Sequence, residues 1–219
     1  MRFDSLSLST PQAVDSPPIN LRTRLFWLLV TLAVQCLYFP INRYVQGGVI
    51  LKTPLDDFVP FWPLWAVPYL LSLPWWTTAY LWAALKMPAN LYRAFISAAL
   101  GIMLTSYLIY IAYPTFIERP ILTGTSWEMD LVRFIYNQDR IYNAFPSGHT
   151  YCTILITLFW WDWQPRWRWL WGLIAVTILL STLFTRQHNL PDLAGGAALA
   201  YAGYRLGLWW VTRPHRSYT

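Results

Sequence analysis

An all-α membrane protein with six transmembrane helices is the fold this sequence predicts, on three observations. The composition is 56% hydrophobic and 18% aromatic but only 12% charged over 219 residues, where an ordinary soluble domain carries roughly 25% charged residues. Six apolar runs reach or approach the ~20 residues that span a bilayer. Trp and Tyr gather at the ends of those runs, among them Trp75, Trp76, Trp160, Trp161, Trp163, Trp167, Trp169, Trp209 and Trp210, as in an interfacial aromatic belt. With a mean hydropathy of +0.34, the chain is neither disordered nor a typical soluble enzyme. Its two cysteines, Cys36 and Cys152, both lie inside apolar runs, so no disulfide framework is expected.

In chain order, residues 1–20 are polar, rich in Ser and Pro and without helical periodicity, and read as a mobile cytoplasmic tail. Residues 21–213 form the membrane domain, and 214–219 a second cytoplasmic tail. The spans are expected at about 25–41, 61–85, 91–113, 148–163, 168–185 and 193–212. The first run starts late and no small-residue cleavage site follows it, so it reads as an uncleaved anchor. The fourth and fifth are short and contain polar atoms, which suits helices facing the protein interior. Aromatic residues of the first two spans read as lipid-facing or packing positions, and Asp56 and Asp57 as a solvated helix start. The one long loop, 114–147, holds Thr125-Ser126-Trp127-Glu128, a capping-box pattern. Trp127, Leu131, Phe134 and Ile135 follow at the spacing of an amphipathic helix. A short helix lying on the outer membrane surface is expected there.

Six spans place both termini and two loops on one side. That side carries ten Lys/Arg and three Asp/Glu, against six and seven on the other. The positive-inside rule then puts the termini in the cytoplasm and the acidic side outside, in a plasma or inner membrane. The net charge of +6 is thereby a topological signal. Because the basic residues do not cluster into a reading surface, nucleic acid is not expected as a partner.

Three polar clusters interrupt the apolar background: Glu118-Arg119-Pro120, Pro146-Ser147-Gly148-His149, and Arg186-Gln187-His188 with Asp192. In a six-span topology all three reach the same outer face, where such residues are costly without a purpose. Pro146 suits the first turn of a helix, where a missing N–H costs nothing. Ser147 and Gly148 then offer backbone N–H groups at a helix N-terminus, an anion site, and His149 projects beside it. Arg119 and Arg186 can each give bidentate donors to phosphate oxygens. His188 and Asp192 are four apart, the spacing at which a carboxylate holds one imidazole nitrogen protonated while the other points outward. Two histidines, an orienting carboxylate and phosphate donors suit covalent phosphoryl transfer. Zinc would need three or four ligands, and His215 falls on the cytoplasmic side, so neither a metal nor an organic cofactor is expected.

On these residues the chain resembles the type 2 phosphatidic acid phosphatase superfamily, integral-membrane lipid phosphatases and phosphotransferases related to soluble vanadium haloperoxidases. The family's motifs read Lys-x6-Arg-Pro, Pro-Ser-Gly-His and Ser-Arg-x5-His-x3-Asp. The second is intact as Pro146-Ser147-Gly148-His149. The first keeps Arg119-Pro120 with Ala112 at the Lys position, and the third keeps Ser181, His188 and Asp192 with Thr182 at the Arg position. The resemblance implies that His188 is the nucleophile, that Asp192 orients it and that His149 protonates the leaving group. It implies that Arg119, Ser147 and Gly148 hold the phosphoryl oxygens. Arg186, four residues after Thr182 and one turn along the same helix face, is expected to fill the missing Arg position.

The expectation is therefore a membrane enzyme hydrolysing a lipid phosphate monoester or pyrophosphate that enters sideways from the bilayer. One alternative is a phosphotransferase moving the group to an alcohol acceptor, of the inositol- or sphingolipid-synthase kind. Another, of a different class, is an inactive lipid-binding or transport protein.

Overall fold

The computed structural model describes residues 18–213, so most of the first tail and all of the second lie outside the described residues. The fold is all-α. Helix α1 (Leu21–Cys36) and the short α2 (Tyr38–Tyr44) together form the first long rod, turning at Leu37. Then come α3 (Ala66–Lys86), α4 (Ala89–Ala112), α5 (Trp127–Gln138), α6 (Gly148–Trp163), α7 (Arg168–Phe184) and α8 (Leu190–Thr212). Each expected span has its helix, displaced by a few residues. Leu21–Tyr44, Ala89–Ala112 and Pro165–Phe184 are long and apolar enough to cross a membrane by length and composition. The remaining three are weaker for local reasons: α6 has 16 residues, while α3 and α8 dilute their apolar runs with Pro, Trp, Tyr and Gly.

Helix α8 packs against α4 and α6 along a stripe of small residues, Gly196, Ala200, Gly203 and Gly207, all buried. Small residues at such spacing let two helix backbones approach closely. A Cβ at Gly196 would lie 2.7 Å from the Ser147 carbonyl oxygen, and one at Gly207 would lie 2.6 Å from that of Ala94. The main core fills the space between α3, α4 and α6 with Tyr92, Phe95, Met103, Leu155, Phe159 and Trp160. Trp160 is thus a core residue, only 1% exposed, and not part of an interfacial belt. Large apolar side chains such as Leu29, Leu108, Trp169 and Leu206 remain exposed on the outside of the bundle.

At one end of the bundle the loops interlock. Val49 bridges Thr115, and Phe116 bridges Tyr142. Asp56, expected in solvent, is 1% exposed: its carboxylate accepts from the Thr53 N–H at 2.7 Å and the Leu190 N–H at 2.7 Å, so it caps two chain segments at once. Asp57 does reach solvent and pairs with Lys52 at 2.5 Å. The amphipathic helix of the long loop forms as α5, but without the expected capping box. Ser126 is its N-cap and makes no side-chain cap bond. Met129, Val132 and Ile135 are its buried face, set against Ala66 and Tyr69 of the α3 region, while Trp127 and Phe134 stay exposed. The buried stripe is therefore rotated from the expected one, because α3 supplies an apolar groove that the sequence of α5 alone does not announce.

Candidate active site

The start of α6 builds the first wall of the site. Pro146 does not enter the helix. Ser147 is the N-cap, with its hydroxyl oxygen accepting from the Thr150 N–H at 3.3 Å. The Ser147 N–H itself donates to the Asp192 carbonyl oxygen at 3.0 Å, which ties α6 to α8. Of the expected anion donors, the first-turn N–H groups beginning at Gly148 are those a helix leaves without i−4 partners. His149 stands one residue further on. Its ring stacks on Tyr69 with centroids 4.2 Å apart and planes 28° apart, and Trp76 lies against it at 5.0 Å. Trp76 is fixed in turn by its ring N–H, which donates to the Thr153 hydroxyl at 3.0 Å. The His149 Nε2 has no partner among the described residues.

The turn between α7 and α8 builds the second wall. The His188 ring lies 6.2 Å from that of His149, centroid to centroid. Its Nδ1 is 3.6 Å from the Asp192 Oδ2, close enough for charge attraction and long for a hydrogen bond, as ligand-free catalytic pairs often are. The other duty of Asp192 is structural. In the capping box that opens α8, its Oδ2 accepts the Asn189 N–H at 2.8 Å, and Oδ1 is left without a partner. Both residues are buried, at 9% and 1% exposure.

The two candidate arginines have separate fates. Arg119 reaches into the site region: its guanidinium donates to the Gln187 Oε1 at 2.5 Å and to the carbonyl oxygens of Tyr136 and Arg140. It also lies 4.2 Å over the Tyr136 ring. Gln187 adjoins His188 in sequence, so this bond ties Arg119 to the turn that carries the histidine. Burial works against that charge, and the nearby Asp139 carboxylate supports it. Arg186 does not continue the face of α7, because the helix ends at Phe184 and Arg186 itself adopts φ 54°. Its guanidinium donates to the backbone carbonyls of Asp56 and Val59, pinning the outer loop. Thr182, at the position the arginine was expected to cover, is buried with its hydroxyl donating to the Leu179 carbonyl.

Both histidines open onto a cavity of about 400 Å³. Its other walls are largely apolar, from Leu32, Phe39, Leu70, Leu73 and Met103 among others. A second cavity of similar volume between α4 and α8 has no ionisable side chain in its lining. Among the described residues no three His, Cys, Asp or Glu side chains gather as a metal site would require.

The family model of the PAP2 superfamily matches residues 64–206, a stretch containing Arg119, Ser147, Gly148, His149, Gln187, His188 and Asp192. The chain belongs to the PAP2 superfamily. It is also 38% identical over 64 residues to a protein of Candida albicans named inositol phosphorylceramide synthase. That stretch covers 29% of this chain and 14% of the Candida protein. No solved structure matches the chain.

In this PAP2 protein the chain brings together His149, His188, Asp192, Ser147 and Gly148 at the ends of two touching helices, with Arg119 attached through Gln187. Sequence reasoning missed the groups that orient them. Tyr69 and Trp76 look like bilayer aromatics, although their seven-residue spacing puts them on one face of α3. Gln187 stands in the third polar cluster without a role of its own there, and Asp139 and Asn143 carry no pattern. Only the cavity identifies the last two as site residues.

Proposed function

We propose that this chain is an integral-membrane lipid phosphatase that works through a phosphohistidine. The observation that carries the reading is the pair His149 and His188, 6.2 Å apart across the polar end of a largely apolar cavity, with Asp192 behind His188. One tetrahedral phosphorus fits between two such rings, and the apolar walls suit the chains of a lipid arriving from the bilayer. His188 attacks phosphorus through Nε2 while Asp192 holds the proton on Nδ1, and the phosphorus–oxygen bond to the lipid breaks. His149 gives its proton to the leaving oxygen. It then takes a proton from water as that water attacks the phosphohistidine, and inorganic phosphate leaves with His188 restored. Arg119 and the N–H groups at the start of α6 stabilise the equatorial oxygens. The scheme routes no step through a metal or cofactor. The six long helices are read as six spans, with both termini cytoplasmic and the site on the opposite face.

The match to a protein named as a synthase favours a second reading: an alcohol takes the place of water and the product is a new phosphoester. Product analysis with labelled lipid separates the two. In either case His188→Ala protein reconstituted in vesicles is expected to lose at least ~10³-fold in turnover, a scale set by the removal of covalent nucleophiles elsewhere. Wild-type protein quenched during turnover should carry an acid-labile phosphoryl label that the variant lacks. Phosphate release by His188→Ala at the wild-type rate would overturn the assignment.

A further inference from the structure

The cavity has a second polar wall that the phosphoryl chemistry leaves unused. Asp139, at the end of α5, is half-buried and borders the cavity together with His149 and His188. Its Oδ1 accepts the Tyr38 hydroxyl at 2.6 Å and its Oδ2 the Tyr69 hydroxyl at 3.2 Å. Asn143, four residues on, is 2% exposed and also borders the cavity. Neither the nitrogen nor the oxygen of its carboxamide has a partner among the described residues. The segment is held in place from α2, where Asn42 donates to the Tyr142 carbonyl at 2.9 Å and accepts the Arg140 N–H at 3.1 Å. Tyr69 joins the two walls: its hydroxyl meets Asp139 while its ring stacks on His149.

The chemistry of this wall selects its ligand. A carboxylate only accepts, and it repels a phosphate oxygen; each Asp139 oxygen keeps a lone pair beyond the tyrosine bond. A carboxamide both donates and accepts, and leaving it buried without partners is unfavourable. Phosphate could satisfy one half of Asn143, and an acyl chain neither half. A neutral hydroxyl satisfies both residues, and neighbouring hydroxyls of a polyol could meet them together. We propose that Asp139 and Asn143 form a hydroxyl-recognition subsite that receives a polyol head group beside the phosphoryl position. This rests on the lipid-phosphate reading of the His pair. The hydroxyls could belong to the lipid donor or to a separate alcohol acceptor.

The test uses the full chain in vesicles, with Asp139→Asn, which is isosteric, and Asn143→Gly. Asn143 sits at φ 61°, which glycine adopts freely, so the second variant removes the carboxamide without straining the turn. Two selectivities are measured. One is the ratio of kcat/KM for phosphatidylinositol to that for phosphatidate; the other is the partition of labelled phosphatidate between free phosphate and inositol phosphate when myo-inositol is added. A fall of about tenfold or more in the first ratio assigns the subsite to the donor head group, and the same fall in the second assigns it to an acceptor. Both ratios unchanged in both variants overturns the proposal. A third arm needs no turnover: phosphatidylinositol should raise the unfolding midpoint of wild-type protein above that with phosphatidate, and Asn143→Gly should erase the difference. If no lipid phosphate is turned over, the catalytic reading fails while this arm still decides the subsite.

Discussion

At the residue scale, each histidine has a surrounding that fits one task. His188 is backed by a carboxylate, and His149 lies between two aromatic faces with Nε2 unpartnered. An acid that protonates the leaving oxygen matters most when that oxygen leaves as a strong base. His149→Gln is therefore expected to lower kcat/KM by ~10²–10⁴-fold on a glycerolipid phosphate, and far less on an analogue with a p-nitrophenolate leaving group. Equal losses on both substrates would remove the acid role from His149. Asp139 yields a different measurement. Burial raises its pKa above the ordinary carboxylate value, against the opposing pull of Tyr38 and Arg119. A carboxyl whose folded pKa is raised binds more protons folded than unfolded, so it costs stability above its unfolded pKa and the cost fades as pH falls. Asp139→Asn is expected to raise the unfolding midpoint at pH 7, and the gain should shrink as the pH is lowered toward the usual carboxylate range. A gain that stays constant with pH would contradict this.

At the scale of elements, the site depends on how closely α8 meets α6. The Ser147 N–H to Asp192 carbonyl bond crosses that contact, and Gly196 lies against the Ser147 carbonyl. A methyl at Gly196 would also sit 2.8 Å from the Thr150 Cβ. Gly196→Ala is thus expected to destabilise by about 1–3 kcal/mol, as overpacking does, and to reduce activity by shifting Asp192. At Gly101 nothing lies within 4 Å of the added carbon, so Gly101→Ala should leave stability equal or slightly higher, since alanine is the better helix former. Thermal unfolding of the pair in detergent checks both. The helices themselves were legible because apolar length and Pro/Gly punctuation are local signals, and Gly148–Trp163 falls where the sequence places it. What could not be read were features created by a neighbour. The buried face of α5 is chosen by α3, the burial of Asp56 by the start of α8, and the diversion of Arg186 by the loop carbonyls it meets.

On the scale of the whole molecule, three distant polar clusters meet at one end of the bundle, and the six-span reading of the sequence pointed to that meeting. It could not reveal the cavity wall made by Asp139 and Asn143, because those residues acquire meaning only from α1, α2 and α3 around them. Under the proposed six-span reading, the convergence also ties the chemistry to a side of the membrane. Thr125 lies in the loop at the site end, Arg166 in the turn between α6 and α7 at the opposite end, and both are exposed. The residues of α6 from Thr150 to Trp163, at ~1.5 Å of rise each, carry the chain roughly 21 Å from His149 toward that turn, most of the way across a ~30 Å hydrocarbon core. Excess Lys and Arg on the Arg166 side should keep it cytoplasmic. In a background of Cys36→Ala and Cys152→Ala, Thr125→Cys is expected to react with a membrane-impermeant maleimide in intact cells, and Arg166→Cys only after permeabilisation. The reverse pattern would place phosphoryl transfer in the cytoplasm. Labelling of both in intact cells would mean that α6 does not cross the membrane between them, and the six-span reading would have to be abandoned.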